Sequence, residues 1–197
     1  MRVFKATRQD MTCTMGQGRF QYEIGVPALA EKSQCAKTGL HACEYILDCM
    51  GYYQMDGLNR FFEAEAEGDI AEDGHDSRIA CTKLTLKREL NSRDIAVEVI
   101  SFIKAHPRRD GWECSKPTVQ VKRDEASVEK SGIAIARGEN PRVRGGHGAY
   151  LGFIRETEEG IQECWLVKVG TILLPGKWYT IDEANIAMKN YREAVEE

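Results

Sequence analysis

Between Ser131 and Ile154 the chain reads SGIAIARGENPRVRGGHGAYLGFI, with glycine at 132, 138, 145, 146, 148 and 152. Short β-type runs of isoleucine and alanine lie between these breaks. Glycines spaced so closely fit a coiled or rolled β-structure, whose tight corners a side chain would obstruct. The stretch sets the expected fold class: α+β and mainly β, with a β-roll-like module in the C-terminal half.

The first ninety residues predict short strands and turns. RVFKAT and RFQYEIGV have the mixed alternation of half-buried strands, separated by a turn at Gly16–Gly18. In RFFEAEAEGDIAEDG, Phe62, Ala64 and Ala66 alternate with Glu63, Glu65 and Glu67. Period two predicts a strand with a carboxylate ladder on one face, ended at Gly68-Asp69. RIACTKLTLKREL repeats the pattern with Ile79, Cys81, Leu84 and Leu86, and its one slip of phase predicts a bulge. GLHACEYILDCMGYY differs: Ala42, Tyr45, Ile46, Cys49 and Met50 recur at spacings of three and four, which predicts a short amphipathic helix ending near Gly51.

A second helix is predicted over NSRDIAVEVISFIKAHP, with Ile95, Val99, Phe102 and Ile103 as its apolar stripe, a cap at Asn91 or Ser92, and Pro107 as its stop. The breaker-rich loop RRDGWECSKP then marks a module boundary. The expected organisation is an N-terminal mixed module over 1–90, a connecting helix and loop over 91–117, and a β-roll-like module over 118–197. In the last of these, ECWLVKVGTILL predicts a strand pair, and Trp165, Trp178 and Tyr179 are expected core anchors. TIDEANIAMKNYREAVEE opens with Thr180 and Glu183 in capping-box spacing. Its stripe of Ala184, Ala187, Met188, Tyr191 and Val195 predicts an amphipathic terminal helix, and an uncovered stripe predicts a homodimer through Met188 and Tyr191.

The chain has 197 residues, enough to bury a real core, and a net charge of only -4, so the whole molecule is no general polyanion binder. No apolar run has the length of a membrane span and the start lacks a secretory apolar stretch, so a cytoplasmic location is expected. Seven cysteines, an odd number, argue against a disulfide framework and for free, buried thiols.

Four chemistries compete for the polar residues. Cys35, His41 and Cys43 are spaced C-x5-H-x-C, which lacks the C-x2-C knuckle of structural zinc, so no metal is expected. Cys43 or Cys49 with His41 or His75 has the residue types of a thiol nucleophile and its base, but no cysteine-protease signature surrounds them. The order of a GLHAC turn, a GYY helix end and an EAEAEG strand suggests by analogy an ADP-ribosyltransferase-like or nucleotide-processing enzyme, with His41, Tyr52, Tyr53 and one of Glu63, Glu65 or Glu67 as its site. Finally, Arg137, Arg142, Arg144 and His147 stand among glycines, and Lys104, Arg108, Arg109, Lys116, Lys122 and Arg123 extend a basic strip suited to an acidic protein surface or to the phosphates of a nucleic acid.

In order and spacing, TCTMGQGRFQYEIG, CAKTGLHACEYILDCMGYY, RFFEAEAEGDI and KLTLKREL resemble a family of small bacteriophage, prophage and host proteins of unknown function. That family's typical run is a Cys before GFQYEVG, then C-x-x-GFHFCE, a tyrosine pair, RF-x-EVEA-x-G and a closing REL. Its tail, SIAIATG leading to WYTL, is similar to SGIAIARG and KWYTI here. The resemblance covers roughly residues 1–90 and 128–182. The resemblance implies a mobile-element setting; with the lack of a complete catalytic constellation, the expectation is a non-enzymatic accessory protein without a cofactor that binds a host protein or nucleoprotein, an inhibitor of an antiviral system such as a CRISPR effector. Arg108, Arg109, Arg137, Arg142, Arg144 and His147 are the expected contacts.

Overall fold

A computed structural model describes residues 1–15 and 18–196; the turn expected at Gly16–Gly18 falls largely outside them, as does the side chain of Val195. The chain forms two compact units, Met1–Asn91 and Ser92–Glu197.

The first unit is built from antiparallel strands. These are β1 (Arg2–Arg8), the small hairpin β2 (Thr12–Met15) and β3 (Gly18–Gln21), β4 (Pro27–Leu29), β5 (Leu40–Cys43), β6 (Asn59–Glu72) and β7 (Arg78–Leu90), with one helical turn, α1 (Ile46–Cys49), after β5. The long β6–β7 hairpin carries β1 on its β6 edge and β4 and β5 on its β7 edge. A single pairing of Phe4 with Cys43 joins β1 to β5, so the sheet curls back on itself. Phe62, Ala64, Ala66, Leu84 and Leu86 fill its core together with Val3, Leu40 and Ile79.

The glutamate ladder lies on the opposite face, where Glu63 pairs with Arg2 and Arg88, Glu65 with Lys87 and Glu67 with Lys83. Gly68 does not end β6. Gly68 and Asp69 lie opposite Thr82 in a bulge, with Gly68 at φ 79°, and the strand runs on to Glu72. That bulge stands where the apolar phase of β7 slips. Ala42 was expected in the helical stripe and GLHAC as a turn, but Leu40–Cys43 form β5, because the β7 edge offers them partners. The helix keeps only four residues.

The second unit begins with α2 (Ser92–Ala105). Then come β8 (Cys114–Lys116), β9 (Val119–Val128), β10 (Ile133–Gly145), β11 (Tyr150–Thr157), β12 (Gly160–Lys168), β13 (Tyr179–Thr180) and α3 (Ile181–Glu196). β9, β10 and β11 pair in parallel although four residues, 129–132 and 146–149, separate each from the next. Parallel neighbours normally need a crossover of about a dozen residues. Here each strand turns a corner midway, at Asp124 (φ 61°) in β9 and across the register break between Arg137 and Arg142 in β10, and the chain coils back above its own start. Ile133 thus stacks between Val119 and Tyr150.

The glycines stand at these stacked corners. A Cβ on Gly132 would come 2.4 Å from the Thr118 carbonyl oxygen, and one on Gly138 2.2 Å from Asp124 Oδ1. One face of the coil carries α2 through Ile95, Val99, Ile100 and Ile103; the other encloses Ala134, Ala136, Val143, Leu151 and Phe153 beneath α3. The expected connecting helix is therefore a packed layer of the second unit. GTILL forms no strand; Val169 and Leu173 only bridge within its turn.

At the start of α3 the capping box closes: Thr180 N–H donates to Glu183 Oε2 at 2.8 Å and Glu183 N–H donates to Thr180 Oγ1 at 3.2 Å. Thr180→Ala is expected to lower stability by about 1 kcal/mol, read from the urea midpoint. Met188, expected at a dimer face, packs with Ala184 and Ala187 on this unit's own core, while Ile186 and Tyr191 are exposed. No helix among the described residues is long and apolar enough to cross a membrane.

Candidate functional site

The curled sheet of the first unit leaves a cavity of about 600 Å³ between β1, the β2–β3 hairpin, the segment 36–43 and the chain leaving α1. Five of the residues singled out from sequence meet in its wall: His41, Cys43, Cys49, Tyr52 and Tyr53. Phe4, Lys5, Ala6, Cys13, Tyr22 and Arg78 join them.

The wall is held by a clamp at the start of β7. Asp48 in α1 accepts hydrogen bonds from Ser77 N–H at 2.9 Å and Ser77 Oγ at 2.5 Å, and Ser77 Oγ accepts from Tyr45 N–H at 2.9 Å. That fixes α1, and with it Tyr52 and Tyr53, against Arg78. The Tyr52 hydroxyl donates to Asp76 Oδ2 at 2.9 Å, and the Arg78 guanidinium lies over the Tyr52 ring, 5.3 Å from its centre. Asp73 accepts from Arg78 Nη2 at 2.5 Å. Gly39 (φ 98°) turns the chain into β5 so tightly that a Cβ would meet the Lys32 and Cys81 carbonyl oxygens at 3.0 and 3.2 Å.

His41 is half-buried, and both faces of its chemistry are engaged. Its Nε2 accepts from Ala36 N–H at 3.1 Å, and its carbonyl accepts from Lys5 Nζ at 2.6 Å. Burial, then the neighbouring charges of Lys5 and Arg78, hold its pKa below the usual 6.5, against a smaller opposing pull from Asp73. The folded protein therefore resists protonating His41 while the unfolded chain does not. The stability this provides is full above pH 6.5 and is lost as pH falls through the depressed folded value. Between about pH 7.5 and 5.5 the melting temperature should fall less steeply in His41→Gln than in the parent; parallel slopes would exclude this assignment.

The Cys43 thiol is held protonated. The adjoining Cys49 thiol, then burial, raise the pKa of Cys43, and Cys49 donates its own S–H to the Phe4 carbonyl at 3.4 Å. No group of three His, Cys, Asp or Glu side chains among the described residues is arranged to hold a metal ion.

The expected glutamate does not join the site. Glu65 is bound to Lys87 at 2.6 Å and no Asp or Glu lines the cavity, so His41, Tyr52 and Tyr53 converge without the carboxylate an ADP-ribosyltransferase-like reading requires. The basic strip also divides. Arg137, expected on the surface, is 3 % exposed: it is held by Glu156 at 2.8 and 2.5 Å, by the Pro107 carbonyl at 2.5 Å, and against the Trp112 ring. Arg142 pairs with Glu125 and Arg144 with Glu129, and both guanidinium groups lie over Trp178, which is half-buried rather than a core anchor. Arg108 and His147 are exposed, and Arg109 lies over Phe102.

Lys5, Tyr22 and Arg78 were missed from sequence. The one local signal was Lys5, a charge inside RVFKATR, where every residue from Val3 to Thr7 is buried. Residues 1–98 are similar to DUF7666, a domain of unknown function. The DUF7666-like stretch contains every residue of the cavity wall and ends within α2. No curated protein and no solved structure matches the chain.

Proposed function

We propose that the DUF7666-like unit is a binding module for a small molecule, held in the cavity around His41, Tyr52 and Tyr53. One observation carries this reading. The Tyr22 hydroxyl, on a residue 3 % exposed in the cavity wall, is buried with no hydrogen-bond partner among the described residues. The Cys13 thiol is near enough to push the Tyr22 pKa up, after burial itself, yet it does not meet hydrogen-bond geometry. An unpaired buried hydroxyl costs about 1–3 kcal/mol, so a fold that keeps one in a cavity wall is served by a ligand that accepts its proton.

A library of metabolites, nicotinamide dinucleotides included, screened by thermal shift should contain a class that raises the melting temperature, because a ligand binding only the native state stabilises it. Tyr22→Phe should leave the free protein as stable as the parent, or about 1 kcal/mol more so, while weakening the hit. Failure of every compound to shift the melting temperature would sink the proposal.

We also propose a chain-level role, capture of a host protein or nucleoprotein by the second unit, in the mobile-element setting that the sequence resemblance implies. The observation favouring a surface for it is Trp178, which sits half-exposed between Arg142 and Arg144. Aromatic and arginine side chains are the usual anchors of such contacts. Glutamate at positions 142 and 144 should end capture from a bacterial lysate with little change in melting temperature, since exposed ion pairs contribute only about 0–1 kcal/mol. Unchanged capture would remove this surface.

A further inference from the structure

We propose that the ligand of this cavity is a small organic anion, a carboxylate or phosphate carried on a flat ring. The inference rests on the binding-module reading above and adds the ligand's charge and shape.

Lys5 is the strongest pointer. The residue is 7 % exposed, yet its ammonium has one carbonyl acceptor, at His41, and the face of the Tyr22 ring 5.3 Å away. No carboxylate among the described residues pairs with it. A buried ammonium has three protons to place and a charge to balance, and natural interiors pair such a charge. Two further donors in the same wall lack an acceptor among the described residues, the Tyr22 hydroxyl and Arg78 Nε, while Arg78 Nη2 donates to Asp73. The cavity wall thus holds three donors with hydrogen-bonding capacity to spare, on three separate elements of the unit, two of them on cations.

The rest of the lining agrees in sign. It contains Lys5, Lys37 and Arg78 and not one acidic side chain, although the chain as a whole is net acidic. Asp73 balances Arg78 and Asp76 holds the Tyr52 hydroxyl from outside the lining, so the unbalanced charge is that of Lys5, whose pull on an anion a low-dielectric recess strengthens. Shape follows from the tyrosines. Tyr52 and Tyr53 line the same recess, and aromatic side chains are partners for a planar ring whose anionic group reaches Lys5. The volume of about 600 Å³ lies within the range of small-molecule sites and admits a single ring with a phosphate or carboxylate.

The test is calorimetric titration with pairs that differ in charge: nicotinate against nicotinamide, benzoate against benzamide, and adenosine monophosphate against adenosine. In at least one pair the anion is expected to bind more than about tenfold tighter than its neutral partner. Which pair responds separates a carboxylate from a phosphate. Lys5→Met should bring that pair to parity and Lys5→Arg should keep most of the preference. Raising salt from about 50 to 500 mM should weaken the anion alone, which tests the charge in the parent protein without any variant. Neutral members binding as tightly as anions would overturn the charge assignment and leave the binding module standing. Failure of all six compounds to bind, when the thermal-shift library has produced a neutral hit, would overturn it as well. A library with no hit at all removes both.

Discussion

Glu156→Ala is expected to lower the stability of the second unit by about 3 kcal/mol, the scale of a buried ion pair broken from one side. The loss comes from what is left behind. Arg137 cannot lose its proton, and at 3 % exposure it cannot turn to water. In the parent, Nε and Nη2 donate to the two Glu156 oxygens at 2.8 and 2.5 Å, Nη2 also reaches the Pro107 carbonyl, and Nη1 is buried without an acceptor. Removing the carboxylate leaves a full charge with one carbonyl and the Trp112 ring as company.

The pair also sets a pH dependence. Arg137 holds the Glu156 carboxyl below its usual 4.5, so its contribution is complete above that pH and disappears as pH falls through the lowered folded value. Urea unfolding followed by tryptophan fluorescence reads both effects. The double change Arg137→Met with Glu156→Leu should recover most of the loss, since apolar replacements of buried pairs are often neutral. A cost under about 1 kcal/mol for Glu156→Ala would mean that Arg137 finds solvent after all.

The same arginine shows what the sequence could and could not say. Arg137 stands in a glycine-rich stretch beside Arg142 and Arg144, and nothing local separates the three. Its burial depends on Glu156, Trp112 and the end of α2, all distant in the chain. Features that depend on neighbours within a few residues were legible. Thr180 and Glu183 make their reciprocal bonds, the glutamates of β6 face their cations, and the slip in β7 marks a bulge.

Where a distant partner decides, periodicity was ambiguous. Ala42 and Cys43 fit a helix spacing with Tyr45 and Ile46 as well as they fit a strand, and the free edge of β7 settled it. The site divides in the same way. His41, Tyr52 and Tyr53 lie close in sequence and meet in the cavity, whereas Lys5, Tyr22 and Arg78 reach it only because the sheet curls.

Gly152→Val is expected to cost about 3 kcal/mol, at the upper end of what overpacking does, and to loosen α2 from the sheet. The reason is room and not backbone freedom. Gly152 lies in β11 directly beside Ile135 of the preceding coil, and a Cβ there would stand 2.6 and 3.2 Å from Ile135 Cγ1 and Cγ2 and 3.3 Å from Ile100 Cδ1 of α2. Ile135 is fully buried and has nowhere to turn, because α2 covers it. A valine must therefore lift the helix or part the strands, and either exposes part of the stripe of Ile95, Val99 and Ile103.

Gly152→Ala should cost less, about 1–2 kcal/mol, and Ile135→Val in the same chain should relieve part of it, giving a coupling of opposite sign to the single losses. Hydrogen exchange separates this account from a general weakening. Amides of α2 should lose protection before those of β9 and β10, since the helix is the layer displaced and the coil beneath keeps its own pairing. Loss of protection in β9 first would mean that the glycine serves the turn of the coil and not the seat of the helix.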